Sequence, residues 1–361
     1  MNRTNTKAFA DLLLKRHNIL ERKVILDLNG YRIALRSNSE DLLKILEAYF
    51  SHVSGSGDVD IEVLCIDSEV VDAGVEFVDW KREPGKTGRK DAYYDLEDGR
   101  LVLKVRTGML FLQSETYRIA AGPCVEYDNQ VINFINAQYM NWLQQQGQLI
   151  CHASGLVIND QCMAIAGFSG GGKSTLMLHM LAKDGVAYLT NDRLFLSRAA
   201  DSVMATGIPK LPRINPGTIV NDPLLTPLLT AERRKELLGM PKEELWHLEE
   251  KYDVDVSQVY GDNKIVPRQR ITRFLILNWK FNDDQPCNIH EVDLNQRHDL
   301  LAAVMKSPGP FYHFREGDFF TDEMQLDEAL YLDMMQGITV YEATGKVDFD
   351  FAIDYCIEKL S

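Results

Sequence analysis

The stretch Gly167-Phe168-Ser169-Gly170-Gly171-Gly172-Lys173-Ser174-Thr175 fits the pattern G-x-x-x-x-G-K-[ST] at every position. Glycines in such a loop let successive backbone N–H groups turn toward one anion without a Cβ clash, and the following helix directs its positive dipole end at the same point. Lys173 is then expected on the β- and γ-phosphates and the Ser174 hydroxyl on Mg²⁺. We predict a nucleotide site whose phosphates are bound by Gly167, Ser169, Gly170, Gly171, Gly172, Lys173, Ser174 and Thr175.

The residues on either side of this loop predict the strand and helix that it needs. Upstream, residues 162–166 form a short apolar run typical of a buried strand, and downstream 176–181 is typical of a helix packed on a sheet. Residues 156–158 precede the loop strand across Asn159-Asp160, a hairpin turn signal. The loop strand is therefore expected to be antiparallel to its predecessor.

A carboxylate follows the next predicted strand. Residues 186–190 form a short apolar run, expected to lie beside the loop strand, and Asn191-Asp192 stands at its carboxyl end. A carboxylate there points into the crevice that holds the phosphates, so we predict that Asp192 binds the metal or acts as catalytic base. His152 begins the same β-layer, where a single histidine is more often a hydrogen-bonded structural residue than a catalytic one.

Together these residues resemble the HPr kinase/phosphorylases and their relatives. In that family a His-Ala or His-Gly pair precedes a G-x-S-G-x-G-K-S loop by a short hairpin, and an Asp-Asp pair ends the next strand. Here His152, residues 167–174 and Asn191-Asp192 occupy those places. The chain is most similar to the HPr kinase-related kinase B group, whose members are associated with ATP-grasp peptide-modifying partners, while phosphoenolpyruvate carboxykinases share a more distant version of the core.

The resemblance implies an α/β fold with a P-loop nucleotide-binding core on a mixed sheet, and ATP and Mg²⁺ as cofactors. It implies that His152 orients Asp192 or a phosphate oxygen. The segment 266–270 resembles the family's arginine-bearing turn before a late core strand, which implies Arg268 or Arg270 as a phosphate clamp. Two departures, Asn191 and the segment 207–217, argue against a bifunctional HPr enzyme, and the reverse reaction stays open.

Composition excludes some classes of protein. The 361 residues, 45% of them hydrophobic, suffice for one or two domains with a sizeable core. A net charge of −14 argues against a general binder of nucleic acid or anionic membrane. The six cysteines show no C-x-x-C pair, which predicts free thiols in a reducing compartment, the cytoplasm by default. We expect no signal peptide and no transmembrane segment, and a homo-oligomer stays open.

Two domains are predicted along the chain. Residues 1–145 are expected to form an α+β lobe for substrate docking or assembly, although a plain packing role is equally compatible. Residues 146–361 are expected to form the catalytic domain, with an inserted segment at about 209–262. Its five prolines between 209 and 227 predict an irregular binding loop, in which Arg213 is a candidate contact to phosphate or substrate. Residues 231–252 are predicted to be helical, as a lid or as a surface hairpin.

Three functions are compatible with these residues. The first is an ATP-dependent kinase acting on a protein or peptide side chain, because a positioned phosphate chain, a metal, a carboxylate base and arginines are what phosphoryl transfer needs. The resemblance adds an ATP-grasp enzyme as partner. The second is a kinase for a small hydroxyl compound. The third is a binding or switch module without an acceptor, in which ATP orders the region from Arg213 to Arg270.

Overall fold

The computed structural model describes residues 5–82, 88–168, 170–248 and 250–359. The chain divides into two compact units, one of residues 1–146 with 308–325 and one of residues 147–307 with 326–361. Each unit is a mixed α/β structure that contains both parallel and antiparallel strand pairs.

The first unit combines helices with a mixed sheet. Its elements in chain order are α1 (Thr6–Leu14), β1 (Val24–Leu28), β2 (Tyr31–Ser37), α2 (Glu40–Tyr49), a 3₁₀ turn (Ser51–Val53), β3 (Ile61–Asp67), β4 (Val78–Asp79), β5 (Asp91–Leu96), β6 (Gly99–Lys104), β7 (Leu110–Gln113), β8 (Arg118–Gly122) and α3 (Asp128–Gln145). The strand order is β1-β2-β3-β8-β7-β6-β5-β4, with parallel pairs at β2-β3 and β3-β8. Asn29 and Gly30 both have positive φ in the β1-β2 turn, as the tight hairpin turns favoured by Asn-Gly require.

The sequence-based boundary after residue 145 did not anticipate that residues 308–325 belong to the first unit. Arg100 of β6 is fully buried and donates to the carbonyl oxygens of Pro310 and Phe320 at 3.2 and 2.8 Å. Its guanidinium also pairs with Asp95 and lies 4.6 Å from the ring centre of Phe319. These long-range contacts fix the segment to β6 and carry no local sequence signature.

The second unit contains the glycine-rich loop. Its elements are β9 (Leu149–Cys151), β10 (Ser154–Ile158), β11 (Gln161–Gly167), α4 (Lys173–Leu181), β12 (Val186–Thr190), β13 (Leu194–Ala199), β14 (Ser202–Gly207), β15 (Arg213–Ile214), α5 (Pro216–Ile219), a 3₁₀ turn (Thr226–Leu228), α6 (Ala231–Leu238), α7 (Lys242–His247), β16 (Tyr252–Asp253), α8 (Val256–Tyr260), β17 (Arg268–Leu277), β18 (Asn288–Val292), a 3₁₀ turn (His298–Leu300), α9 (Leu301–Val304), α10 (Glu328–Met335), β19 (Thr339–Thr344) and α11 (Phe349–Lys359). The main sheet follows the order β12-β10-β11-β17-β14-β13-β9, β19 joins β17 and β18, and β15 pairs with β16.

Both faces of this sheet are covered by apolar side chains. Along β11, Met163 and Ile165 face the cluster that contains α4, whereas Cys162, Ala164 and Ala166 face the cluster that contains α9 and α10. Burial on two faces explains the unbroken apolar run that predicted this strand. It also fixes the end of β11, and therefore the loop that follows, between two packed layers.

The segment at 209–262 is part of the core, although its prolines suggested an irregular loop. Ile214, Ile219, Leu225, Val254 and Val256 are all fully or almost fully buried in the cluster beside α4. The prolines permit only short elements, and apolar side chains at intervals anchor those elements against the helix. The stretch 231–252, which was predicted to be helical, contains two short helices, α6 and α7, and Pro241 directly precedes α7.

A buried carboxylate joins the late strands of the second unit. Glu342 of β19 stands opposite Ile276 of β17, and its side chain is 2% exposed. Asn278 Nδ2 donates to Glu342 Oε1 at 2.8 Å, and the Arg297 guanidinium donates to both carboxylate oxygens. Burial raises the pKa of Glu342, but the hydrogen bonds from Arg297 and Asn278 outweigh burial and hold the pKa below its usual value.

We expect Glu342→Gln to lower the free energy of unfolding by about 1.5–3 kcal/mol near neutral pH, the net value typical of hydrogen bonds to a charged group. Because the pKa of the folded state is lowered, this stabilisation is complete above the unfolded pKa and is lost as pH falls through the folded pKa. Urea unfolding of the wild type and of Glu342→Gln at about pH 7 and about pH 3 measures this difference in the free energy of unfolding. Glu291→Gln, at an exposed position, is the control. An equal difference at both pH values would contradict this account.

Within the described residues, no helix is both long enough and apolar enough to cross a membrane. All six cysteines are free thiols, as predicted, and Cys287 alone among them is half-buried while the others are buried. Burial raises the pKa of the Cys65 thiol to about 12, which keeps it protonated and unreactive near neutral pH.

Candidate functional site

The glycine-rich loop connects β11 to α4. Gly170 and Gly172 have φ of +79° and +81°, a backbone conformation that side chains with a Cβ rarely adopt. A Cβ on Gly172 would lie 2.7 Å from a ring carbon of Phe349. Gly172 is also the N-cap of α4, so the loop closes directly onto a helix N-terminus. Ser169 was also predicted to contact the phosphates and lies outside the described residues.

Several hydrogen bonds hold the loop in its turn. Lys173 Nζ donates to the Gly167 carbonyl oxygen at 2.9 Å, which folds the lysine back over the loop. The indole of Trp279 donates to the Gly171 carbonyl oxygen at 2.8 Å. These contacts leave the backbone N–H groups at the start of α4 directed toward the space that an anion would fill.

The sheet brings Asp192 to the same edge as the loop, but not by the pairing that we predicted. β12 does not lie beside the loop strand, because β10 is inserted between them. β10 is antiparallel to both neighbours, with Ile158 opposite Gln161 on one side and Val186 on the other. β11 and β12 therefore run in the same direction and end at the same edge. The antiparallel hairpin predicted across Asn159-Asp160 is confirmed.

Two side chains, those of His152 and Arg193, contact the Asp192 carboxylate. His152 Nε2 lies 3.1 Å from Asp192 Oδ1. Arg193 Nη1 donates to Asp192 Oδ2 and also to the Asp192 carbonyl oxygen, the latter at 3.2 Å. The preceding residue is anchored as well, because Ser154 Oγ donates to the Asn191 carbonyl oxygen at 2.6 Å. The dipeptide at the end of β12 is thus fixed to the start of β10.

Asp192 and Arg193 line a cavity of about 290 Å³. The cavity extends from Ser174 of the loop past Asp192 to the first part of the inserted segment. The lining residues are Ser174, Thr190, Asn191, Asp192, Arg193, Ile208, Lys210, Leu211, Arg213 and Lys251. Four of them are cationic and one is acidic, so the cavity favours an anion within a chain of net charge −14.

Arg268 and Arg270 lie at the start of β17, whose other end, at Leu277, pairs with Gly167 at the loop end of β11. Their side chains are not among those that line the cavity. The turn before β17 does approach the site, because the Pro267 carbonyl oxygen accepts from Gly207 N–H at 2.9 Å and the adjacent Ile208 lines the cavity. The phosphate clamp that the resemblance implies therefore stays a prediction.

Four cationic residues line the cavity, namely Arg193, Lys210, Arg213 and Lys251. Arg213, a sequence candidate, lines the cavity and pairs through Nε with Asp253 at 2.9 Å. Sequence reasoning missed Arg193, Lys210 and Lys251. The signal for Arg193 was its place directly after Asp192, whereas Lys251 reaches the cavity through the β15-β16 pairing, which is not readable from local sequence.

The residues at this site fit a magnesium nucleotide. The positive φ values at Gly170 and Gly172 and the open space beside Gly170 suit a phosphate chain that approaches the backbone closely. The Ser174 hydroxyl and the Asp192 carboxylate supply the oxygen ligands that Mg²⁺ takes from proteins when phosphates complete its shell. Among the described residues no group of three or more His, Cys, Asp or Glu forms a metal site, so an all-protein cage is not offered.

Comparisons with known proteins give a distant similarity. No family model matches the sequence, and no curated protein matches it significantly. Among solved structures, the Hpr(Ser) kinase/phosphatase from Coxiella burnetii is similar at 15% identity and a TM-score of 0.26, over 55% of this chain and 79% of that chain. Membership of the kinase B group stays a prediction.

Proposed function

We propose that this chain is an ATP-dependent kinase that transfers the γ-phosphoryl group of ATP to a side chain of a protein or peptide. The observation that carries the proposal is that Ser174 of the glycine-rich loop and Asp192 line one cavity. A phosphate cradle, a metal-binding hydroxyl and a carboxylate at one point are the parts that phosphoryl transfer requires.

In this mechanism the loop amides and Lys173 hold the β- and γ-phosphates. Mg²⁺, when bound by Ser174 and Asp192, would neutralise charge on the phosphate oxygens. The acceptor oxygen forms a bond to the γ-phosphorus while the bond to the β–γ bridging oxygen breaks, and that electron pair leaves with ADP. Asp192 accepts the acceptor proton, and His152 keeps the carboxylate oriented from 3.1 Å.

The choice of acceptor rests on the resemblance to the kinase B group, which also supports an ATP-grasp enzyme as partner. The experiment that tests the choice incubates the chain with magnesium and γ-labelled ATP in three parallel reactions. One contains the peptides and proteins encoded by neighbouring genes, one contains free hydroxyl metabolites, and one contains neither. Label on a peptide or protein is the expected result.

The two other outcomes identify the alternatives. Label confined to a free metabolite would replace the proposed acceptor by a small hydroxyl compound. ATP binding with slow hydrolysis and no labelled acceptor would favour the switch module. Asp192→Asn serves as the chemical control in each reaction, because label that persists in this variant does not come from the proposed site.

We expect His152→Ala to lower the transfer rate by less than the 10²–10⁴-fold typical of a lost general base, about 10-fold, because His152 orients Asp192 without accepting the proton. The KM for ATP should stay near the wild-type value. His152→Gln should recover part of the rate, since its amide nitrogen can donate to the same oxygen. The exposed His298→Ala is the matched control. A loss as large as that of Asp192→Asn would contradict a purely orienting role.

A further inference from the structure

Arg193 occupies a fixed backbone position beside the proposed reaction centre. Thr190 Oγ1 donates to the Arg193 carbonyl oxygen at 2.9 Å, and β13 begins at the next residue. The Arg193 side chain is 26% exposed and lines the same cavity as Ser174 and Asp192. The guanidinium can therefore change partner through its own torsions while the main chain stays in place.

The present partner of Arg193 conflicts with the chemistry proposed for Asp192. One carboxylate oxygen faces His152 Nε2 and the other accepts from Arg193 Nη1. For Asp192 to bind a metal or accept a proton, one of these oxygens has to exchange its partner. Both residues have anchored main chains, His152 through its N–H to the Val304 carbonyl oxygen at 2.7 Å. The imidazole can move only through two side-chain torsions, whereas the guanidinium has four, so the exchange is easier at Oδ2, on the arginine side.

A guanidinium released from Asp192 has a suitable destination in the same cavity. Its planar fork of donors matches phosphoryl oxygens bidentately, and phosphoryl transfer spreads charge over the equatorial oxygens in the transition state. Arg268 and Arg270 are not among the residues that line this cavity. Arg213 is engaged through Nε by Asp253, which leaves Arg193 as the cavity arginine adjacent to the reacting carboxylate.

We infer that Arg193 exchanges the Asp192 carboxylate for the γ-phosphoryl group and stabilises the charge on that group during transfer. This inference rests on the proposed function. While Arg193 donates to Asp192, that carboxylate is occupied; after the exchange, Asp192 Oδ2 is available to metal or proton, and Arg193 contacts the equatorial oxygens. The exchange itself makes and breaks no covalent bond; the covalent step remains the proposed transfer of the γ-phosphoryl group. In basal hydrolysis, water takes the place of the acceptor.

The test compares a ground-state with a transition-state mimic. Calorimetry on the whole chain with magnesium measures the affinity for a non-hydrolysable ATP analogue and for ADP–aluminium fluoride. Arg193→Ala should weaken the fluoride complex by about 10²–10³-fold, the usual effect of one lost transition-state donor, and should leave the ATP analogue nearly unchanged. Arg193→Lys should give an intermediate loss, since an ammonium supplies charge without the fork.

Two further variants keep the test decisive. Arg193→Gln retains a donor of similar shape if the alanine variant is unstable, and it should still lose most of the differential affinity. Arg198→Ala is the matched control, because Arg198 lies on β13 and donates to the carbonyl oxygens of Asp333 and Gln336. It should bind both mimics as the wild type does, and basal ATP hydrolysis should follow the affinity for ADP–aluminium fluoride.

Equal affinities in wild type and Arg193→Ala would overturn the inference, as would an equal loss for both mimics, which would make Arg193 a ground-state contact. These outcomes leave the proposed function intact as long as the wild type binds the ATP analogue. A wild type that binds neither mimic would contradict the proposed function itself, and the inference with it.

Discussion

Replacing Asp192 by asparagine is expected to lower phosphoryl transfer by about 10²–10⁴-fold, the usual contribution of a general base. Asparagine keeps the shape of the side chain but cannot accept the proton of the acceptor and binds a metal more weakly. The loop amides and Lys173 still hold the phosphates, so the affinity for ATP should change little. Single-turnover transfer and ATP binding, measured on the same preparation, separate the two effects.

Asp201→Asn is the matched control for this variant. Asp201 is exposed in the turn between β13 and β14, so the same loss of charge occurs in the same unit without touching the cavity. Wild-type transfer by Asp192→Asn would make the mechanism wrong, and Asn191 or a residue outside this unit would then have to supply the base. Loss of ATP binding in the variant would instead assign Asp192 mainly to the metal.

Local signals predicted the parts of the site that adjoin one another in sequence. The turn at Asn159-Asp160, the strand leading to Gly167 and the helix beginning at Lys173 depend on residues within a few positions, and the structure has all three. Strand order is different, because it depends on burial of both sheet faces by distant segments. The sequence therefore predicted that Asp192 lies at the same edge of the sheet as the loop, but it did not predict that β10 lies between β12 and the loop strand β11.

The same distinction applies to the late arginines. Arg268 and Arg270 are implied by analogy, and their place relative to the loop depends on how β17 pairs with β11 and β14, which no local pattern reveals. The burial of the inserted segment was not predicted for a related reason. Its prolines signalled irregular structure, but the burial of Ile214 and Ile219 against α4 is a tertiary effect that brings Arg213 to the cavity wall.

Replacing Lys173 by alanine is expected to lower ATP turnover by about 10²–10³-fold and to weaken ATP binding, because it removes the one cation within the loop motif. Lys173 Nζ donates to the Gly167 carbonyl oxygen at 2.9 Å, so the ammonium has to leave this oxygen for the phosphates when ATP binds. The net gain is the difference between a neutral acceptor and a highly charged one, which favours phosphate strongly.

Lys173→Ala also removes the hydrogen bond to the Gly167 carbonyl oxygen, which lowers the stability of the folded chain. Thermal unfolding without nucleotide measures this effect separately. A hydrogen bond from a charged group contributes about 1.5–3 kcal/mol at most, so the loop should stay folded and the loss of turnover should exceed any loss of stability. Lys183→Ala, an exposed lysine just beyond α4, is the matched control and should behave as the wild type. If Lys173→Ala bound and turned over ATP as the wild type does, the loop at Gly167 to Thr175 would not be the nucleotide site.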